Sequence, residues 1–215
     1  MLLSGGIDSA TCLYLSKKKG YVNRALTVKL HGMALGEFGA ATALAQSAGV
    51  EEHRFFPMPE LREAADMADG TKLAGVPPTY IPLKNLIYYG VAAAFAEEVE
   101  ADVIIGGQNA ADVRVFEDTS EAFFRSMHRV LMASSVRLRQ RRVKIWRPLR
   151  SMEKPEVVRL AAEIGVPLQL TWSCHRDGSV HCWDCDGCRR RRQAFRKAGV
   201  TDPLARGTPK GSKTT

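Results

Sequence analysis

The chain has 215 residues, 45% hydrophobic and 25% charged, with a formal net charge of +8. That length suits one α/β domain with a small appendage. No apolar run reaches the ~20 residues of a membrane-spanning helix. The start lacks the basic segment and cleavage site of a secretory signal, so a cytoplasmic protein is expected.

Met1-Leu2-Leu3 reads as the end of a short buried strand that leads directly into Ser4-Gly5-Gly6. Residues 7–19 follow as a helix, stopped by Gly20. Residues 25–30 form a strand-like run, and 35–48 an alanine-rich helix ending at Gly49. Residues 54–57 read as a short strand, 60–68 as a helix and 69–79 as a Gly/Pro-rich loop. Pro82 suits a helix start. Residues 83–99 then run apolar nearly all round, as in a buried helix, and 87–95 suits either core or a homodimer surface. A buried strand at 102–106 precedes a polar loop at 107–118. The rest reads as a helix at 120–138, a strand at 144–148, a helix at 154–164 with Pro155 in its first turn, and a last helix at 189–198. Strands alternating with helices predict a doubly wound parallel sheet. The domain plan is a 1–168 nucleotide-binding unit, a 169–203 cysteine segment with its helix, and a 204–215 disordered tail.

In such sheets ligands bind at the carboxyl ends of the strands. The loop Ser4-Gly5-Gly6-Ile7-Asp8-Ser9 leaves one such end, and the 107–118 loop leaves another. Glycines let backbone N–H groups approach an anion, and the helix start adds positive potential. Ser4 and Ser9 supply hydroxyls. Asp8 would repel a bare phosphate, so it either holds Mg²⁺ or caps the helix.

Of the five cysteines, Cys174, Cys182, Cys185 and Cys188 fall within fifteen residues. Four clustered thiolates suit tetrahedral Zn²⁺, with an iron–sulfur cluster as the rival. His175 and His181 read as exposed loop residues and Cys12 as a small core residue. The arginines at 137, 139, 141 and 142 and the run 189–192 read as solvated faces that also bind substrate phosphates. Direct nucleic-acid binding stays open, since charge alone is weak evidence.

Leu3, Ser4, Gly5, Gly6, Ile7, Asp8, Ser9, Ala10, Thr11, Cys12 and Leu13 together resemble the PP-loop of ATP pyrophosphatases. The end of the chain is similar to the 7-cyano-7-deazaguanine synthase family. That resemblance rests on Thr171-x-Ser173-Cys174, Cys182-x2-Cys185-Asp186-x-Cys188-Arg189, Phe195-x3-Gly199 and Asp202-Pro203. Tyr80-x-Pro82-x2-Asn85 and the spacing of Gly107, Asp112, Asp118 and Phe123 agree with it. The resemblance implies ATP, Mg²⁺ and Zn²⁺ as cofactors, and a deazapurine carboxylate and ammonia as reactants. It implies an adenylated carboxylate that ammonia converts to an amide and a second activation converts to the nitrile. Leu3 to Leu13 and Gly107 would bind the nucleotide. Ser4, Asp8, Ser9, Lys84 and Asp118 would serve catalysis, with Arg114 as an alternative to Lys84 for phosphate charge. The chain departs from the family at 30–34, at Lys84 (usually arginine) and at 116–120. Those segments should line the substrate side. A PP-loop enzyme acting on another carboxylate or carbonyl, and a non-catalytic zinc-stabilised module, are the other readings.

Overall fold

The computed structural model describes residues 1–30, 34–58 and 80–205. The helix expected at 60–68, the loop at 69–79, residues 31–33 of the first divergent segment and the tail from 206 lie outside them.

The elements run α1 (Ile7–Lys18), β1 (Arg24–Leu30), α2 (Leu35–Ala48), β2 (Glu52–Met58), α3 (Lys84–Glu98), β3 (Val103–Ile105), α4 (Ala110–Val115), α5 (Glu121–Ser134), α6 (Val136–Arg141), β4 (Lys144–Trp146), α7 (Lys154–Glu163) and α8 (Asp186–Ala198). Strands β1 and β2 pair in parallel, as do β3 and β4. Met1 to Leu3 joins the two pairs. The Leu2 N–H donates to the Ile105 carbonyl at 3.0 Å, Leu3 N–H donates to Leu26, and Leu26 N–H returns to Met1. The short first strand therefore sits mid-sheet, which is why Leu3 is apolar and 1% exposed.

Adjacent residues on these strands point to opposite faces. Ile105 packs with Ile7, Ala10, Val157, Val158 and Phe195, beneath α1, α7 and α8. Ile104 packs instead with Tyr89, Ala92, Phe124 and Met127, beneath α3 and α5. Helices thus cover both faces, and the last helix shares a core with the first. This is the doubly wound α/β fold the alternation predicts.

Three expectations are corrected. The 107–118 stretch is no simple loop. It contains α4 and a 3-10 turn at Glu117–Thr119. The side chain of Asn109 accepts from the Ala111 and Asp112 N–H groups, and Asp112 answers to the Asn109 N–H at 2.9 Å. This capping box satisfies the donors that a six-residue helix leaves open. The helix expected at 120–138 is two, because Ser135 is extended (φ −132°) and its hydroxyl caps α6 at the Leu138 N–H. Finally, α3 buries one face only. Asn85, Tyr89, Ala92, Ala93, Phe95 and Ala96 face inward, and Leu86 is exposed. Pro82 lies in the turn before α3, whose first helical residue is Lys84.

Candidate active site and metal centre

The loop from Ser4 to Ser9 has a tight internal geometry. Ser9 Oγ accepts from the Ser4 N–H at 3.2 Å, lies 3.1 Å from Ser4 Oγ and donates to the Gly6 carbonyl at 3.1 Å. Gly5 holds φ +85°, and a Cβ there would lie 2.5 Å from the Glu37 carbonyl oxygen and 2.9 Å from the Ala41 nitrogen. Both the conformation and the contact with α2 require glycine. Gly6 is the N-cap of α1 and has no side chain to cap it. The first N–H groups of α1 lack intrahelical acceptors and remain available to an anion.

Ser4 is exposed, and Gly6 and Asp8 are half-buried. Leu3, Ile7, Ala10, Thr11, Cys12 and Leu13 are each 1% exposed or less. The side chains of these six build the scaffold beneath the loop. The Cys12 thiol is turned to the Gly106 carbonyl, and burial, then Asp8, pushes its pKa up. It is a core residue, as expected, and cannot reach the cleft.

Asp8 lies in the first turn of α1 and does not cap it. Its Oδ2 forms an ion pair with Lys154 Nζ at 2.5 Å. Its Oδ1 is buried and has no hydrogen-bond partner among the described residues. An orphaned carboxylate oxygen at an anion-binding helix start fits a divalent cation with oxygen ligands. Lys154 opens α7, which packs against α1. Gly107 approaches from the other side, where a Cβ would lie 3.2 Å from the Asp8 carbonyl carbon and the Ser9 nitrogen. Asp112 completes the cluster. Burial raises its carboxyl pKa, its bond from the Asn109 N–H opposes that, and the charges of Asp8, Lys154 and Lys84 all act on it.

Lys84 also sits over the Tyr88 ring at 5.5 Å. Asp118 Oδ2 accepts from the Asn85 N–H at 3.1 Å, so it serves α3 as a remote cap. Arg114 is committed to Glu153 through two bonds of 2.5 and 3.0 Å. Beneath them, Gln108 links the Tyr89 hydroxyl to the Asn85 side chain.

The four-cysteine cluster is assembled. All four Sγ atoms lie within 4.8 Å of one another. Cys182–Cys188 and Cys174–Cys185 are each 3.9 Å apart. Those spacings are too long for a disulfide, at about 2.05 Å, and match the edge of a tetrahedron with Zn–S bonds of about 2.3 Å. The N–H groups of Asp184 and Cys185 lower the Cys182 thiol pKa to about 6, which favours the ligating thiolate. Zinc fits this donor set.

His181 is not the exposed loop residue expected. It is 7% exposed, packs between Trp172 and Trp183, and accepts the Ser173 N–H at Nε2. Burial, then the Arg191 charge, lowers its pKa to about 4, so it is neutral. His175 is exposed.

The 189–192 run is corrected at Arg191, while Arg189, Arg190 and Arg192 lie on an exposed face as expected. Arg191 is fully buried. It pairs with both oxygens of Asp202 at 2.7 and 2.9 Å and donates to Thr171 Oγ1 and the Leu168 carbonyl. Arg189 donates to the Asp184 carbonyl, Arg190 pairs with Asp186 and Arg192 donates to the Trp183 carbonyl. Arg137, Arg139, Arg141 and Arg142 do form an exposed face.

With the loop and thiolate cluster in place, the chain can be compared with known proteins. Residues 1–199 match the family model described as Queuosine biosynthesis protein QueC. The chain belongs to the QueC family. Curated relatives named 7-cyano-7-deazaguanine synthase include one from Thermosynechococcus vestitus, 35% identical over 95% of this chain and 93% of its own length. One from Desulfitobacterium hafniense is 32% identical over 95% and 91%. Among solved structures, an NMN synthetase from Francisella tularensis matches with a TM-score of 0.51 and 20% identity. That match covers 93% of this chain and 76% of that one, and it supports the fold. This QueC-family chain is therefore an enzyme on a PP-loop, ATP-using fold.

Sequence reasoning missed Lys154 and Trp172. Lys154 had one usable signal, a cation at a helix start where the dipole disfavours it. Trp172 had none, since its contacts with Gly5 and Gly36 are distant in sequence.

Proposed function

We infer that this protein is an ATP-dependent 7-cyano-7-deazaguanine synthase, acting on 7-carboxy-7-deazaguanine and ammonia in the cytoplasm. The observation that carries this is the Asp8 carboxylate. Lys154 holds one of its oxygens and the other lacks a partner, at the start of an uncapped anion-binding helix. In a chain matching 7-cyano-7-deazaguanine synthases over 95% of its length, that arrangement serves the activation of a carboxylate by ATP.

The substrate carboxylate attacks the α-phosphorus of ATP and pyrophosphate leaves, giving an acyl adenylate. The α1 N–H groups and the Ser4 hydroxyl receive the charge on the leaving pyrophosphate. Ser9, bonded on three sides, fixes the curvature of the loop. Asp8 Oδ1 would hold Mg²⁺, which when bound neutralises phosphate charge. Lys154 orients Asp8, and Lys84 lies where it can answer negative charge beside Asp112. Ammonia then attacks the acyl carbon and AMP leaves, giving the amide. In a second activation the amide oxygen attacks the α-phosphorus of a second ATP and pyrophosphate leaves. Loss of AMP and protons leaves the nitrile. Asp118 and the Gln108–Asn85–Tyr89 network hold the start of α3 against the cleft. Cys174, Cys182, Cys185 and Cys188 would hold Zn²⁺, which when bound closes the C-terminal segment.

The test is incubation with ATP, Mg²⁺, ammonium and 7-carboxy-7-deazaguanine, with products followed by mass spectrometry. AMP and nitrile should both accumulate. No AMP would refute the assignment. AMP with amide alone would place the enzyme at the amide stage.

A further inference from the structure

The metal centre and the ATP loop are joined through one residue. Trp172 lies two residues before Cys174. Its backbone N–H donates to the Gly5 carbonyl at 2.9 Å, at the turn of the ATP loop. Its indole Nε1 donates to the Cys174 carbonyl at 2.7 Å. Its ring packs against His181, next to Cys182, with centroids 4.4 Å apart. The opposite side of the ring lies on the first turn of α2, where a Cβ on Gly36 would overlap the indole. The next residue of that turn is Glu37, whose carbonyl oxygen bounds the space around Gly5. Asp177, in the same cysteine segment, accepts from the Leu35 N–H at 2.9 Å. The cysteine segment thus grips both the ATP loop and the helix on which that loop rests. Arg191 secures the base of the grip by bonding Thr171.

We propose that Trp172 is a positioning residue that couples occupancy of the four-cysteine metal site to ATP binding at Ser4–Ser9. Four thiolates closed on zinc fix Cys174 and Cys182. That fixes the indole from both ends, and with it the Trp172 backbone, whose N–H then holds the Gly5 carbonyl and the left-handed turn there. Without the metal, the anchors at Cys174 and His181 are released and the loop loses one of its outside constraints. The coupling rests on the proposed nucleotide role of the loop and requires nothing of the deazapurine.

Coupling between two sites is reciprocal, with a typical size of 5–150-fold. The protein carrying zinc is titrated with a chelator of known zinc affinity, with and without Mg-ATP. No deazapurine or ammonia is present. ATP should tighten zinc retention by about fivefold. Direct chelation of zinc by ATP would act in the opposite direction. In Trp172→Ala the ATP effect should disappear while zinc still binds. Trp172→Phe, which keeps the ring and loses the Nε1 bond, should show an intermediate effect and guards against a folding failure of the alanine variant. Equilibrium dialysis of ATP on the same proteins separates the two readings. If wild type does not bind ATP, the nucleotide assignment fails and the coupling fails with it. If it binds ATP but zinc retention is unchanged, the coupling alone is overturned. Equal retention effects in wild type and both variants would also overturn Trp172 as the coupler.

Discussion

Asp8 and Arg191 both hold side-chain polar atoms away from bulk water, and they are treated in opposite ways. Arg191 has every side of its guanidinium occupied, by Asp202, Thr171 and the Leu168 carbonyl. Asp8 has one oxygen on Lys154 and the other on nothing. A buried charge with all its partners holds structure. One left half-satisfied is costly to the free protein, and that cost is recovered when a ligand supplies the missing partner. The Arg191 contact is therefore a finished piece of structure, whereas Asp8 keeps one oxygen without a partner among the described residues.

The largest effect should come from the metal. Structural zinc contributes binding free energy on the order of 10 kcal/mol to folding. Cys174→Ser should therefore hold well under one equivalent of zinc by elemental analysis and lose the cooperative unfolding of 169–203. A full equivalent in that variant would undo the four-thiolate assignment.

Arg191→Ala comes next, because it strands Asp202 inside the protein. Breaking such a pair costs about 3–5 kcal/mol, readable in urea unfolding. Replacing both Arg191 and Asp202 with apolar residues should recover much of the loss. If the single variant is as stable as wild type, the contrast with Asp8 has no energetic basis.

Asp8→Asn should behave in the reverse manner. AMP formation should fall about 10²–10³-fold, while the unfolding midpoint stays near wild type, since asparagine keeps an oxygen for Lys154 and the orphaned position has no partner to lose. Lys154→Met should weaken the dependence on Mg²⁺ in the same direction, and Lys154→Arg should restore part of it. A large stability loss in Asp8→Asn with little change in rate would invert the comparison.

The smallest effect is expected at Asn109→Ala, which removes a capping box. Caps are worth about 1 kcal/mol, so a modest fall in the thermal midpoint should accompany normal zinc content.

The sequence was most legible where a feature is local. The Ser4–Ser9 loop was readable because two glycines and two serines at a strand–helix junction describe a backbone conformation. The cysteines were readable because their spacing is itself the ligand geometry. Helix α2 was readable to its last residue because Gly49 ends it in the left-handed conformation. Legibility failed where a residue's partner is distant. Ser135 looks like one more polar helix residue until its hydroxyl donates to Glu97 on α3. His181 looks like a loop residue until two tryptophans close on it. Four arginines in a row look like a solvated face, and only the packing of α8 against α7 puts Arg191 inside.

By itself, then, the sequence determined the doubly wound fold, the glycine–serine turn that opens the first helix and the cysteine cluster, because backbone preference, hydrophobic period and close spacing all act over a few residues. The tertiary structure alone decided which charges are buried, which oxygen of Asp8 is free and that Trp172 joins the two ends of the chain. The last two of those properties depend on pairs brought together across more than a hundred residues, Lys154 with Asp8 and Trp172 with Gly5.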